Sequence, residues 1–145
     1  MTLKRIFLDA NVLVAIGIRP QGDYSRLLRV PNVQYVTSEH ILFEVIENMT
    51  ALGKDPSKFI VSLRNMMEVT DQVTKLPSGL PLYDDEDRQA LAESIGSNCD
   101  KFVTFNSKDF SALYGQTIYG VLIRHSCDYR NLYAPLPEPK NQSKT

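Results

Sequence analysis

Cysteine is scarce in this chain: Cys99 and Cys127 stand far apart in 145 residues, which suggests neither a disulfide framework nor a zinc site. They read as two reduced thiols, as expected of a cytoplasmic protein. Charge of one sign is missing too. Sixteen Lys and Arg against 17 Asp and Glu leave a formal net charge of -1, so no global field draws the chain to nucleic acid or to an anionic membrane. That weighs little against a nucleic-acid substrate, because an enzyme can meet phosphates with a few local cations and a metal. No apolar run is long enough to cross a bilayer, and Met1-Thr2-Leu3-Lys4 leads into a strand rather than a signal peptide. No membrane partner is expected, and the expected location is the cytoplasm. A Gly-rich phosphate loop, a nucleophile elbow and a Cys–His pair are all absent, which removes several hydrolase classes. His40 and His125 have no partner at ligand spacing and read as surface or loop residues.

At 43% hydrophobic content the chain can bury one ordinary core, and a single domain over residues 1–133 is expected. The proline-rich, polar end, 134–145, has little to bury and reads as a disordered tail. Upstream, strands and helices alternate. Strands are predicted over Arg5–Asp9, Val33–Thr37, Thr70–Leu76, Lys101–Phe105 and Tyr119–Ile123. Helices are predicted over Asp23–Val30, from a Ser38 cap to about Leu52, from Pro56 onward, over Asp85–Gly96 and over Ser107–Leu113. The apolar stripes of the second and third of these are Ile41, Leu42, Val45, Ile46, Met49 and then Phe59, Ile60, Leu63, Met66, Met67. This order implies an α/β fold, a mainly parallel sheet with helices on both faces.

Acidic side chains concentrate at three places along this pattern. The run Phe7-Leu-Asp-Ala-Asn-Val-Leu13 breaks off a buried strand in Asp9, and ligand crevices of open α/β sheets lie outside the carboxyl ends of strands. A charge at that edge needs compensation, for which a metal ion is one answer. In Asp84-Asp85-Glu86-Asp87 the acids can simply favour the helix dipole. Helical phase separates them, however: Asp87 shares the buried face with Ala90, Leu91, Ser94 and Ile95, while Asp85 and Glu86 point away. In Lys101-Phe-Val-Thr-Phe-Asn-Ser-Lys-Asp-Phe110 a strand ends in Thr104, and Asn106 and Asp109 follow on the turn. There Asn106 or Ser107 is a cap and Asp109 a first-turn acid, or Asp109 joins the crevice; both remain open. Periodicity places Glu44, Glu47 and Asn48 off the apolar stripe and selects none of them.

In that order, Phe7-Leu-Asp-Ala-Asn-Val-Leu13, Ser38-Glu-His-Ile-Leu-Phe-Glu44, Asp85-Glu-Asp-Arg-Gln-Ala-Leu-Ala92 and Phe102-Val-Thr-Phe-Asn-Ser-Lys-Asp-Phe110 resemble the PIN-domain family of metal-dependent ribonucleases. The resemblance covers nearly the whole chain except the tail and implies a Rossmann-like three-layer α/β/α sandwich. It further implies that Asp9, Glu44 and Asp87 are the principal acids, catalytic and metal-binding. The Ser38-to-Glu44 spacing selects Glu44, with Asn11, Ser38 and Thr104 supporting. Many members carry aspartate where this chain has Asn106, and others carry asparagine with a following Lys-Asp-Phe, as here. Asn106 would ligate through its carbonyl or hold a metal-bound water, and Asp109, catalytic as well, would supply the missing charge. Hard oxygen ligands imply Mg²⁺ or Mn²⁺. RNA as substrate, a toxin of the VapC type, a homodimer and a silencing antitoxin peptide are implied in the same way. Two readings compete. One is a catalytically degenerate PIN-like module that only binds RNA or a partner. The other is a haloacid-dehalogenase-like phosphatase, whose first motif resembles Asp9-Ala-Asn-Val but requires an aspartate at position 11.

Overall fold

A computed structural model describes residues 3–133, so the tail expected over 134–145 lies outside the described residues. Six strands form one sheet in the order β3-β2-β1-β4-β6-β5, with β1 Lys4–Leu8, β2 Val33–Ser38, β3 Glu68–Thr70, β4 Lys101–Thr104, β5 Thr117–Ile118 and β6 Val121–His125. All pairings are parallel except β5 with β6, and helices cover both faces. The expected α/β sandwich is the one observed. Strand β1 runs through the middle, between β2 and β4, and its Ile6, Phe7 and Leu8 are buried. A central strand covered on both faces reads as a continuous apolar run. Phe7 stacks on Phe102 of β4, which stacks in turn on Phe110.

The helices are α1 Ala10–Ile18, α2 Glu39–Ala51, α3 Ser57–Met66, α4 Asp85–Gly96, α5 Ser107–Phe110 and α6 Ser126–Tyr133, with a 3₁₀ segment at Asp23–Arg29. The chain leaves β1 toward β2 on one side and returns to β4 on the other, so β1 and β4 flank the topological switch point, where α/β folds bind their ligands.

Several sequence expectations need correction. Helix α1 was not foreseen: Val12, Val14, Ile16 and Ile18 are β-branched and Gly17 is a poor helix former. Packing overrides those preferences, burying Val12, Leu13 and Ile16. A Cβ at Gly17 would meet the Phe59 ring at 2.8 Å and Met49 Sδ at 3.0 Å, so glycine lets α1 close onto its neighbours. The third strand is Glu68–Thr70 rather than Thr70–Leu76. It pairs with β2 directly after α3, and Arg5 of β1 grips Glu68 through two bonds of 2.6 and 2.9 Å. Tyr119–Ile123 is not one strand. Tyr119 and Gly120 both have positive φ, 49° and 84°, the conformation of a two-residue hairpin turn, and they join β5 to β6. Helix α5 stops at Phe110 instead of Leu113, and Ile46 and Met66 lie outside the core. Helix α6 was also unforeseen.

Candidate active site

Asp9 follows β1 as the cap of α1, and its carboxylate accepts from Ala10 N and from the Thr104 hydroxyl, both at 2.9 Å. Thr104, fully buried at the end of β4, is the hub of this corner. Its oxygen accepts from Asn11 Nδ2 at 3.0 Å and from Asn106 N at 3.1 Å, while Asn11 Oδ1 accepts from Phe105 N. Asn11 and Thr104 therefore fix Asp9, which is itself only 7% exposed. With Asn11 engaged in this network, the second aspartate needed by the phosphatase reading has no counterpart.

Glu44 of α2, Asp87 of α4, and Asn106 and Asp109 beyond β4 line the same cleft as Asp9 and Asn11, a cavity of about 250 Å³. The acids predicted as a site are thus brought together from four separate segments. Asp84, Glu86 and Asn48 also line the cleft, and among the described residues no basic side chain does. Asp84 caps α4, accepting from Glu86 N and Asp87 N. Asp85 points away as expected, its side chain 95% exposed beside Arg88. Glu86, expected to point away, lies on the cleft rim.

Burial and crowding shift Asp9, Glu44 and Asp87 toward their protonated forms. Burial raises Asp9, opposed by the bonds from Thr104 and Ala10. Burial, followed by the charges of Asp9, Glu86, Asp87 and Glu93, pushes Glu44 to about 8. Burial and then the hydrogen bond with Asp109 push Asp87 to about 8, while Asp109 is lowered by its bonds with Asp87 and Asn106. The two neighbouring carboxyls are thus shifted in opposite directions, Asp87 toward its protonated form and Asp109 toward its ionised one. Asp87 Oδ2 is buried without a hydrogen-bond partner.

The Asn106 carbonyl, one of the two ways this residue was expected to serve a metal, is engaged within its own turn. Oδ1 accepts from Asp109 N, capping α5, while Nδ2 faces Asp109 Oδ2 at 3.2 Å and Asp87 Oδ1 at 3.4 Å. As a ligand it would have to rotate. Among the described residues no three His, Cys, Asp or Glu side chains already stand arranged to hold a metal ion. The donor set nevertheless fits a hard divalent cation: oxygen ligands, excess negative charge and an orphaned carboxylate oxygen. Small side-chain rotations would have to close the site.

Ser38 caps α2 and does not touch the cleft; its hydroxyl donates to Glu93 Oε1 at 2.5 Å. Two residues escaped the sequence reading here. Glu93 of α4 is 1% exposed. His40, expected on the surface or in a loop, is half-buried in α2 with Nε2 3.1 Å from Glu44 Oε1 and Nδ1 3.5 Å from Glu93 Oε1. Its i,i+4 spacing to Glu44 was the available signal. His125 ends β6 and accepts from Cys127 N, and both cysteines are free. No helix among the described residues is long and apolar enough to cross a membrane.

No family model matches the chain, and no curated protein does. Solved structures do. One is the VapBC2 complex of Rickettsia felis bound to a DNA fragment from its promoter, with a TM-score of 0.64 at 20% identity over 83% of this chain and 98% of that one. Another is VapC20 of Mycobacterium tuberculosis, a sarcin-ricin loop cleaving toxin, with a TM-score of 0.54 at 16% identity over 67% of this chain and 86% of that one. At such identity the likeness is one of architecture, and the chain has the PIN-type α/β fold of these VapC structures.

Proposed function

We propose that the chain is a divalent-metal-dependent endoribonuclease that hydrolyses RNA phosphodiester bonds. The observation that carries this reading is the convergence of Asp9, Glu44, Asp87 and Asp109 on one cleft at the sheet's switch point, which no basic side chain lines among the described residues. Asp9, Glu44 and Asp87 would hold Mg²⁺ or Mn²⁺, with Asp109 at the open edge and Asn106 as a further oxygen donor after rotation. When bound, the ion supplies Lewis acidity toward the phosphodiester and toward the attacking water. The chain's own part is to hold its ligands in place. Thr104 and Ala10 N orient Asp9, and Asn106 Nδ2 bridges Asp87 and Asp109 until the side chain rotates to offer its oxygen. Asp87, shifted toward its protonated form by burial, must ionise to bind a cation, so cation binding releases protons.

The likeness to a VapBC complex and to an RNA-cleaving toxin supports the reading of this chain as the toxin of a toxin–antitoxin pair, acting in the cytoplasm, dimeric, and silenced by an antitoxin protein. The degenerate binding module stays as the second reading because Asn106 replaces an acid and the apo side chains hold no ready-made cluster. Purified protein incubated with single-stranded and stem-loop RNA decides between them. Cleavage that requires Mg²⁺ or Mn²⁺ and stops on chelation supports the nuclease. Full activity in excess chelator overturns metal dependence, and RNA binding without cleavage under every metal favours the binding module.

A further inference from the structure

Glu93 is buried more deeply than Asp9, at 1% against 7% exposure, yet it does not line the cleft. A carboxylate so deep is costly unless its oxygens are satisfied. Three donors converge on it: Ser38 Oγ at 2.5 Å on Oε1, and Gln89 Nε2 at 2.7 Å and Val73 N at 3.2 Å on Oε2. An amide in its place would set its own N–H₂ against those donors, so the surroundings select glutamate. On its remaining side stands His40, one helical turn before Glu44. The imidazole lies between the two carboxylates, Nε2 3.1 Å from Glu44 Oε1 and Nδ1 3.5 Å from Glu93 Oε1, an approach that leaves the buried Nδ1 without a hydrogen-bond partner. A glutamate at the edge of a cleft has three side-chain torsions to fix. Here the ring on the preceding turn stands against its carboxylate, and the fixed carboxylate of Glu93 stands behind the ring.

We propose that Glu93 and His40 are positioning residues for Glu44: Glu93 holds the His40 ring, and the ring holds the Glu44 carboxylate aimed into the acidic cleft. The inference rests on the reading of that cleft as a divalent-metal site. Partners of this kind behind metal ligands are worth ~10–100-fold in metal affinity or activity.

The test measures Mn²⁺ binding by calorimetry on the full chain, alongside RNA cleavage. His40→Ala is expected to weaken Mn²⁺ binding and lower kcat by ~10–100-fold, with KM for RNA unchanged. His40→Gln keeps one N–H donor within reach of Glu44 and is expected to recover part of both. Glu93→Gln is expected to behave like His40→Ala; if it fails to fold, the His40 pair decides alone. Unchanged Mn²⁺ affinity in His40→Ala overturns the relay and leaves the metal site standing. Equal losses in His40→Ala and His40→Gln, in step with lowered melting temperatures, overturn it as well by showing a purely structural role. Wild type that binds no Mn²⁺ overturns both the relay and the reading beneath it.

Discussion

Replacing Glu44 with glutamine removes one negative charge from a cleft that no Lys or Arg lines among the described residues, keeps the side chain's shape, and leaves an amide oxygen able to face His40. The metal-free protein should gain stability, and the gain should depend on pH. An acid whose pKa rises on folding binds its proton more tightly in the folded state. Its contribution to stability is then fully present below the ordinary value of 4.5 and is lost as pH climbs from there through about 8, where folded Glu44 also ionises. Glutamine cannot ionise and escapes that loss. At about 1.36 kcal/mol per pKa unit, the rise from 4.5 to about 8 sets an upper limit of ~5 kcal/mol. The Glu44 side chain is 21% exposed, and water at its open edge reduces a realistic gain to ~2 kcal/mol.

For a chain of this length that corresponds to a rise in Tm of roughly 4–8 °C. Thermal melts of wild type and Glu44→Gln in chelator, near pH 5 and about pH 8.5, read it directly. The variant should melt close to wild type at the lower pH and clearly above it at the higher one. Excess Mg²⁺ should then raise wild type, since a ligand that binds only the folded site stabilises it, and should do much less for the variant. A variant less stable than wild type at high pH, or a gain that ignores pH, would refute the charge-crowding argument.

Asp87→Asn should lower RNA cleavage by orders of magnitude, since each ~1.4 kcal/mol of lost transition-state stabilisation is tenfold in rate, whereas the exposed Asp85→Asn should change it little; single-turnover cleavage compares the two. Asp9→Asn should abolish cleavage while leaving the metal-free melting temperature near that of wild type, because relief of repulsion offsets weakened bonds to Thr104 and Ala10 N; unfolding many degrees earlier would make Asp9 mainly a structural cap. Thr104→Val leaves Asn11, Asn106 N and Asp9 without their common partner and should cost ~1–3 kcal/mol in denaturant unfolding, with weakened Mn²⁺ binding measured alongside.

The parts of this molecule legible in sequence are those where one physical signal dominates. The buried run Ile6-Phe7-Leu8 ending in Asp9 can only be a central strand opening at the sheet's carboxyl edge, and a strand ending in Thr104 reads the same way. Helical phase turns Asp87 inward and Asp85 outward, as found. Phase failed for Glu86, because a rim residue in the first turn can reach a cleft that lies beyond the helix end rather than beside it. Propensity failed for Ala10–Ile18, where contacts with α2 decide, and the strand placed at Thr70–Leu76 slipped because pairing with β2 requires the residues immediately after α3.

Glu44 shows the limit of periodicity most clearly. Hydrophobic phase reports which face of α2 meets the sheet, and Ile41, Leu42, Val45 and Met49 answer that question. It cannot report that the edge of that face borders a second concave surface built by α4 and the turn after β4. From within α2, a residue aimed into an acidic cleft and one aimed into water have the same phase. Only the resemblance in motif spacing separated Glu44 from Glu47. His40 and Glu93 were hidden for a related reason: they approach each other from α2 and α4, and Glu93 also takes donors from Ser38 and Val73, all far apart in sequence. One part of that arrangement is local, the i,i+4 pairing of His40 with Glu44. An imidazole one turn before an acid that phase alone calls solvated is therefore a reason to doubt that the acid is solvated, because such a pair gains most where water is partly excluded.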